Sequence, residues 1–316
     1  MQTDNHAVLA QAKKWCLDGL TPWLCTIVKT VGSSPRPIGS MLTCLKSGEI
    51  TGSLSGGCVE EDFLERLSQG EVDSRRPQLI EFGVSPQQNE KLGLPCGGSL
   101  IVLAQQLETA SLTWLLPLVK SIQQRKCLIR NVDLTSGDTV LHDSEHFTQL
   151  EFEKDRLSQC FGPQMRMLLV GAGQLSQTLA ELALAMDYEV LITDTRQAML
   201  DQWSGPAVTL IQGMPDDVAL SRAADRFSIV ITLTHDPRID DMALMAALET
   251  DAWYVGALGS LRTTGERKKR LRALGLASEA IDRLHAPVGL AIGSKTPVEI
   301  AVSIMAQITQ LRRSAG

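Results

Sequence analysis

The stretch LLVGAGQLSQTLAELALAMDYEVLITDTR, Leu168–Arg196, places an amphipathic helical segment between two apolar, strand-like segments. Gly171 and Gly173 lie between the first strand-like segment and the helix. Neighbouring parallel strands require crossover connections, and a helix of this length supplies one. The stretch therefore predicts the first βαβ unit of a doubly wound parallel sheet, as in a Rossmann-like domain.

The same stretch contains most of a dinucleotide-binding pattern. Gly171 permits a tight turn, and Gly173 lets the backbone approach a pyrophosphate at the positive end of the helix. Asp194 ends the second strand, where a carboxylate accepts a hydrogen bond from a ribose hydroxyl. Ser176 replaces the third glycine of the pattern. Two interpretations remain open: a bound nucleotide, or a fold that is kept without nucleotide binding.

The rest of the chain divides at about residue 160. Downstream, strand-like and helical segments keep alternating, as a parallel sheet requires. Upstream, short strand-like segments are separated by Gly, Pro and Ser, with helices expected at residues 7–18, 59–68 and 112–124. The fold class is therefore α/β. An N-terminal α+β domain, residues 1–160, precedes a Rossmann-like domain with a C-terminal helix, residues 161–316.

Composition excludes several classes of protein. The formal net charge of −6 argues against a general nucleic-acid binder, which needs a basic surface. No apolar segment is long enough to cross a bilayer, and the start of the chain lacks a signal-peptide pattern. Seven cysteines at scattered spacings indicate free thiols in a reducing compartment. We therefore expect a cytoplasmic protein without a zinc site.

The segment VGSSPRPIGSMLTCLKSGEITGSLSGGCVEE, residues 31–61, is typical of a loop-rich binding surface. Prolines fix Arg36, and the glycines and serines offer donors to a phosphorylated ligand. Cys58 lies at the predicted start of a helix, whose dipole favours a thiolate that binds soft metals or attacks sulfur. Packing as a small apolar residue is the alternative role for Cys58. Cys96 also adjoins a glycine pair, and we expect it in the same cleft.

A second basic loop lies in the Rossmann-like domain. Gly259 and Ser260 precede a helix, and Arg262 lies beside them, so the loop suits a phosphate-bearing ligand. The later basic residues, Lys268, Lys269 and Arg270, are interpreted as a solvated helix face. His235 is the one histidine near a predicted strand end, and we expect it to be a loop residue.

Six motifs in this order resemble those of the XdhC/CoxI family, the accessory factors of xanthine and aldehyde dehydrogenases. They are GSSPRPIGSML, GSLSGGCVEE, LPCGG, VGAGQLSQTLAELA, GALGSLRT and HAPVGLAIGSKTPVEIAVSI. The resemblance implies cofactor-binding roles for residues in both domains: Ser33, Ser34, Arg36, Gly56, Gly57, Cys58, Glu60, Cys96, Gly97 and Gly98 in the first, and Gly171, Gly173 and residues 256–262 in the second. Leu261 and Ala291 depart from the family pattern, which has an arginine and an acidic residue there.

The resemblance also implies a function. Such a protein binds the molybdenum cofactor, as molybdopterin or its dinucleotide form, and helps it gain its terminal sulfur. It then delivers the cofactor to an apo-molybdoenzyme, with a cysteine desulfurase as a further partner. Cys58 and Cys96 would contact the molybdenum or the incoming sulfur. We therefore expect a maturation chaperone rather than a catalyst.

Two other classes of function fit parts of the sequence. An NAD(P)-dependent oxidoreductase would use the glycine pattern of the Rossmann-like domain. A docking module for a partner enzyme would bind no small molecule.

The C-terminal helix, Pro297–Leu311, has apolar residues over much of its surface, with a cluster at Ile300, Ala301, Val302, Ile304, Met305 and Ile308. Two-fold pairing is the commonest way to cover such a surface. The sequence therefore predicts a homodimer.

Overall fold

The computed structural model describes residues 2–32, 36–83, 98–234 and 236–314. The chain forms two compact units, residues 1–163 and 164–316. The first unit contains two antiparallel sheets with helices, and the second contains one parallel sheet with helices. The predicted α/β fold, with an α+β region before a Rossmann-like domain, is confirmed.

The larger sheet of the first unit has five strands in the order β3-β2-β1-β5-β4. The strands are β1 Trp23–Val31, β2 Met41–Cys44, β3 Ile50–Gly52, β4 Gln78–Phe82 and β5 Ser99–Gln106. The helices of this unit are α1 Gln2–Leu17, α2 Cys58–Gln69 and α3 Leu112–Gln123, with a short 3-10 turn at Thr109–Ser111.

Helix α2 packs on one face of this sheet because its apolar residues recur at helical spacing. Val59, Phe63 and Leu67 are buried in one cluster with the inward-facing residues of β1. The rings of Phe63 and Trp23 meet edge to face, with centroids 6.2 Å apart. Helices α1 and α3 form a second cluster with Leu24 and Met41. This packing fixes the start of α2, where Cys58 lies.

Three connections leave the same edge of the five-stranded sheet. Strand β1 ends at Val31, which pairs with Ser99 at the start of β5. The last residue of β4, Phe82, pairs with Leu100. Strand β3 also ends on this side, because it runs parallel to β1 across the intervening antiparallel β2. The motif segments after β1 and β3 and before β5 therefore begin or end at one edge.

A four-stranded antiparallel sheet completes the first unit, in the order β7-β6-β9-β8. Its strands are β6 Cys127–Asp133, β7 Thr139–Ser144, β8 Glu151–Phe152 and β9 Arg156–Phe161. The sequence analysis did not predict this sheet. Its strands contain polar residues at buried positions, including Arg130 and Gln159, so they do not show a simple apolar alternation.

The second unit contains a parallel sheet in the order β12-β11-β10-β13-β14-β15. This is the strand order of a Rossmann fold, with its topological switch point between β10 and β13. The strands are β10 Arg166–Val170, β11 Glu189–Asp194, β12 Thr209–Gln212, β13 Ser228–Thr232, β14 Tyr254–Ala257 and β15 Leu284–His285. The helices are α4 Gln174–Ala185, α5 Gln197–Asp201, α6 Pro215–Arg222, α7 Pro237–Leu248, α8 Leu261–Ala273, α9 Ser278–Asp282 and α10 Pro297–Ser314.

The C-terminal helix α10 packs within its own unit. Ala301, Ile304, Met305 and Ile308 are buried in a cluster with α4 and the sheet, and Ile300 packs against that cluster. Val302 remains exposed. The apolar surface from which we predicted a homodimer is thus mostly covered within one chain, and the homodimer stays a prediction. Among the described helices, none is long and apolar enough to span a membrane.

Substitution of Gly52 tests how tightly helix α1 packs against strands β2 and β3 of the five-stranded sheet. Its φ is +90°, and an added Cβ would collide with the Met41 carbonyl oxygen and a Val8 methyl group. Gly48 has a φ of +110° with no atom within 4 Å of an added Cβ. Gly48→Ala should cost about 1–2 kcal/mol, from backbone strain alone. Gly52→Ala should cost about 1–3 kcal/mol more, because overpacking adds to the strain.

Urea denaturation of the two alanine variants and the parent measures this difference. Equal losses of stability in the two variants would show that Gly52 is not constrained by its neighbours.

Candidate functional site

The loop between β3 and α2 is built around the carboxylate of Glu60, which is 6% exposed. Its Oε1 accepts hydrogen bonds from Ser53 Oγ and from the backbone N–H groups of residues 54, 55 and 56, at 2.7–3.1 Å. Its Oε2 accepts from Ser55 Oγ at 2.6 Å and from the Gly57 N–H at 3.0 Å. The backbone donors of Gly56 and Gly57 are therefore already bound by the protein's own anion.

These bonds keep Glu60 ionised. Burial raises the pKa of the carboxyl group, but the hydrogen bonds from Ser55, Gly56 and Ser53 outweigh burial and place the pKa well below its usual range. Gly57 caps α2, and Glu60 is the third residue of that helix, so the Gly57 bond matches one half of a capping box. Glu60 thus fixes both the loop and the first turn of the helix.

Cys58 is the first residue of α2, and its side chain is exposed. The other described cysteines are buried: Cys16, Cys25, Cys44, Cys127 and Cys160. Among the described residues, no atom lies within 4 Å of an added Cβ at Gly56 or Gly57. The exposure of Cys58 does not fit packing as a buried apolar residue, the alternative role for Cys58, and its role in binding stays a prediction.

Arg36 lies in the β1–β2 connection, at the same sheet edge. Its guanidinium donates to the Asp4 carboxylate at 3.1 Å, and both side chains are partly exposed. Gly98 approaches Gly32 closely, since an added Cβ on Gly32 would lie 3.3 Å from the Gly98 Cα. Gly98 and the segments that contain Arg36 and Cys58 thus begin or end at one edge of the sheet. The remaining predicted residues, Ser33, Ser34, Cys96 and Gly97, lie outside the described residues.

The glycine loop of the second unit follows β10 at the switch point. Gly171 has a φ of +108°, and an added Cβ would lie 2.9 Å from the Thr234 methyl group. Gly173 caps α4 in an extended conformation, with no atom within 4 Å of an added Cβ. Ser176 donates its hydroxyl hydrogen to the Gly171 carbonyl. The loop therefore has the open space at Gly173 that a pyrophosphate requires.

Asp194 lies beside this loop, but other protein groups bind its carboxylate. The Ala172 N–H donates to its Oδ2 at 3.0 Å, and the Arg196 guanidinium donates to both oxygens at 2.9 Å. Burial raises the pKa of Asp194, but the bonds from Arg196 and Ala172 outweigh burial and leave the pKa below its ordinary value. A ribose hydroxyl would have to replace part of the Arg196 interaction to bind there.

Gly259, Ser260 and Arg262 lie two strands away from the glycine loop, after β14. Ser260 caps α8, and its hydroxyl accepts from the Thr263 N–H at 3.2 Å. Arg262 is exposed and lines a cavity of about 260 Å³ with Gly259 and Arg267. At the usual spacing of strands, the two loops are roughly 10 Å apart.

A buried polar network connects these two loops, and the sequence analysis missed it. Asp240, 1% exposed, accepts from Thr234 Oγ1 at 2.7 Å and from Arg267 at 2.8 Å. Arg267 also donates to the Leu258 carbonyl at 3.0 Å. Thr234 in turn lies against Gly171. One sequence signal was available, because Asp240 and Arg267 are charged residues on the apolar faces of their helices.

The interpretation of α8 as a solvated basic face needs one correction. Lys269 is exposed and pairs with Glu266 at 3.1 Å, as that interpretation allows. Arg270, however, donates to the buried Asp241 carboxylate at 2.6 Å. The separation of 29 residues between these partners hides the pair from local pattern analysis. His235 lies outside the described residues. In the described part of the chain, no three His, Cys, Asp or Glu side chains form a metal site.

Comparison with known proteins identifies the family. The chain folds into an antiparallel α+β unit followed by a Rossmann unit, and each unit has a glycine loop. The XdhC and CoxI family profile matches residues 15–83, and the XdhC Rossmann domain profile matches residues 167–308. The chain belongs to the XdhC and CoxI family.

Curated relatives and a solved structure extend this match over nearly the whole chain. The molybdenum cofactor insertion chaperone PaoD of Escherichia coli (strain K12) is 28% identical, covering 98% of this chain and 90% of its own. A probable xanthine dehydrogenase subunit of Bacillus subtilis (strain 168) is 27% identical, covering 92% and 93%. A crystal structure described as a xanthine dehydrogenase from Bacillus halodurans has a TM-score of 0.74 at 24% identity, covering 98% and 97%. That structure supports the fold.

Glu60→Gln tests the role of the buried carboxylate. The amide of glutamine has one acceptor oxygen, and its NH₂ group would face N–H donors, so the variant should lose about 3 kcal/mol of stability. The matched control is Glu61→Gln in the same helical turn. Glu61 is exposed, and its substitution should change stability by less than about 0.5 kcal/mol.

The pH dependence of stability provides a second measurement. Because the folded-state pKa of Glu60 is depressed, its contribution is fully present above 4.5, the ordinary pKa of a glutamate, and is lost as pH falls below that value. The stability difference between the parent and Glu60→Gln should therefore shrink in acid. A difference that stayed constant between pH 6 and pH 3 would contradict an ionised Glu60.

Proposed function

We propose that this protein is a molybdenum cofactor chaperone. It binds molybdopterin or its dinucleotide form in the N-terminal unit and assists its sulfuration. It then inserts the cofactor into an apo-enzyme of the xanthine or aldehyde dehydrogenase class. The names of the relatives, a molybdenum cofactor insertion chaperone and a probable xanthine dehydrogenase subunit, support a maturation role. A cysteine desulfurase is the partner that would supply sulfur.

The observation that carries this proposal is the exposed thiol of Cys58 on a rigid loop. Molybdopterin contains a dithiolene-bound metal and a phosphate ester, so its cradle needs a soft ligand and a cation. Cys58 supplies the sulfur, Glu60 holds the loop in place, and Gly56 and Gly57 leave room for a bulky ligand. Cys96 is proposed as a second thiol facing the same ligand.

The phosphate requires a cation, because Glu60 already uses the loop donors. Arg36 lies at the same sheet edge, with a partly exposed guanidinium. Its partner Asp4 is also partly exposed, and an exposed ion pair of this kind is worth less than about 1 kcal/mol. The Asp4 pair by itself is therefore weak competition for a ligand phosphate. We assign Arg36 to the phosphate of the cofactor.

The competing function, an NAD(P)-dependent oxidoreductase, has the support of the Rossmann fold. Asp194, which would hold the ribose, is engaged by Arg196 and Ala172. We therefore propose a nucleotide in the second unit as part of cofactor handling, held at Gly173 and the α4 N-terminus, with Gly259, Ser260 and Arg262 as a second anion-binding loop.

Cys58→Ala tests the chaperone function. Protein purified from a molybdenum-replete host should contain a pterin that mass spectrometry identifies. The variant should stay folded, lose most of that pterin, and fail to activate an apo-hydroxylase. Ser47→Ala is the control, because Ser47 is an exposed residue in the β2–β3 turn. That turn lies at the opposite end of the strands from the connections that contain Arg36 and Cys58. Full binding and delivery by Cys58→Ala would show that the thiol is not needed.

Gly173→Val tests the proposed nucleotide site. The backbone at Gly173 is extended, so valine is tolerated there, but its side chain would fill the space where a pyrophosphate meets the helix. Calorimetry should show nucleotide binding in the parent and none in this variant. Gly265→Ala, a substitution within α8 into open space, should leave binding unchanged. If the parent itself binds no nucleotide, the second unit has the fold without the site.

A further inference from the structure

Two buried cysteines lie side by side on the four-stranded sheet of the first unit. Strands β6 and β9 are antiparallel, and Ile129 pairs with Cys160. Side chains alternate along a strand, so Cys127, two residues before Ile129, is on the same face as Cys160 and diagonal to it. Cys127 is 3% exposed and Cys160 is 5% exposed. This pair is separate from the Cys58 loop.

Gly162 leaves room for the Cys127 sulfur atom. It follows β9 beside Cys127, and an added Cβ on Gly162 would lie 2.6 Å from the Cys127 Sγ. The Cys127 sulfur therefore occupies the space that a side chain at position 162 would need. A hydrogen bond joins the Cys127 and Cys160 side chains. The two thiols are thus in direct contact.

The loop at residues 144–148 supplies further hydrogen-bonding groups to Cys160. The Cys160 thiol donates to the His146 carbonyl oxygen at 3.7 Å, and the same oxygen accepts from the Ser144 hydroxyl at 2.6 Å. The hydrogen bond from Cys127 and those from Thr148 and Ser144 lower the pKa of Cys160 to about 6, against the opposing effect of burial. A thiolate at this position is a nucleophile near neutral pH.

We propose that Cys127 and Cys160 form a reversible dithiol–disulfide pair that hydrogen peroxide oxidises. The Cys160 thiolate attacks one peroxide oxygen: an S–O bond forms, the O–O bond breaks, and the second oxygen leaves as water after taking up a proton. The Cys127 sulfur then displaces the hydroxyl of the Cys160 sulfenic acid. An S–S bond forms, the S–O bond breaks, and a second water leaves with the Cys127 proton. The two thiols lose two electrons and the peroxide gains them.

Peptide mapping of the full-length protein tests this pair. The reduced protein is treated with hydrogen peroxide, quenched in acid, alkylated under denaturing conditions and digested with trypsin. Trypsin releases Cys127 in residues 127–130 and Cys160 in residues 157–166, and it places Cys58 in residues 47–66. We expect the first two peptides to be joined, with the loss of two hydrogens and two alkylatable thiols, and to separate after reduction.

Three variants make the test specific. Cys58→Ser should form the same linked peptides as the parent, because the exposed thiol takes no part. Cys127→Ser, which keeps a hydrogen-bond donor at that position, should instead accumulate a sulfenic acid at Cys160, which dimedone traps, because the second sulfur is missing. Cys127→Ala also removes the hydrogen bond that lowers the Cys160 pKa, so its Cys160 should be oxidised more slowly. Circular dichroism confirms that the variants are folded. The proposal is overturned if Cys160 stays alkylatable in the parent at peroxide doses that oxidise Cys58. It is also overturned if Cys160 is linked to a cysteine other than Cys127.

Discussion

Glu60 accepts six hydrogen bonds, and its donors span the loop from Ser53 to Gly57. A buried carboxylate with this many donors stays ionised and gives its loop one conformation. The same arrangement recurs in the second unit, where Asp194 binds the Ala172 N–H and Asp240 binds the Thr234 N–H. In both units a buried carboxyl group thus fixes a loop next to a candidate binding surface.

This constraint decides how a phosphorylated ligand can be recognised. Backbone N–H groups bound to an internal carboxylate are not free to bind an external phosphate. In the first unit, recognition therefore depends on side chains: Cys58 at the start of α2 and Arg36 in the β1–β2 connection. In the second unit the space at Gly173 remains open, so a helix N-terminus can still receive an anion there. The two units thus offer different chemistry, a soft ligand in one and a pyrophosphate site in the other.

Local sequence patterns were sufficient to predict the Rossmann unit. Its strands β10, β11, β13 and β14 are apolar over four to six residues, and α4, α6, α7 and α10 start at glycine or proline, so these elements can be identified from their own residues. The β6–β9 sheet could not be found in this way, because Arg130 and Gln159 lie at buried positions and interrupt the apolar pattern. Burial of Arg130 is possible because its guanidinium lies over the Trp114 ring, 4.5 Å from its centroid.

Prediction of the candidate sites was limited in the same way. The glycines of the two loops could be identified from the sequence, because tight turns require glycine. The side chains that hold those loops in place could not be identified from the sequence. Arg267 and Asp240 are 27 residues apart, and helical periodicity gives no information about such a pair. The C-terminal helix shows a related limit: its apolar residues indicated a buried surface, but not whether α4 or a second chain covers it.

Each of the three sheets has one very short edge strand: β3 with three residues, and β8 and β15 with two each. An edge strand offers its unpaired N–H and C=O groups to any extended chain that can lie beside it, and a short edge offers too few to hold one. These three edges therefore resist strand addition. An extended segment of another protein would gain little by docking at them, whereas the opposite edge strands, β4, β7 and β12, are longer, with four to six residues.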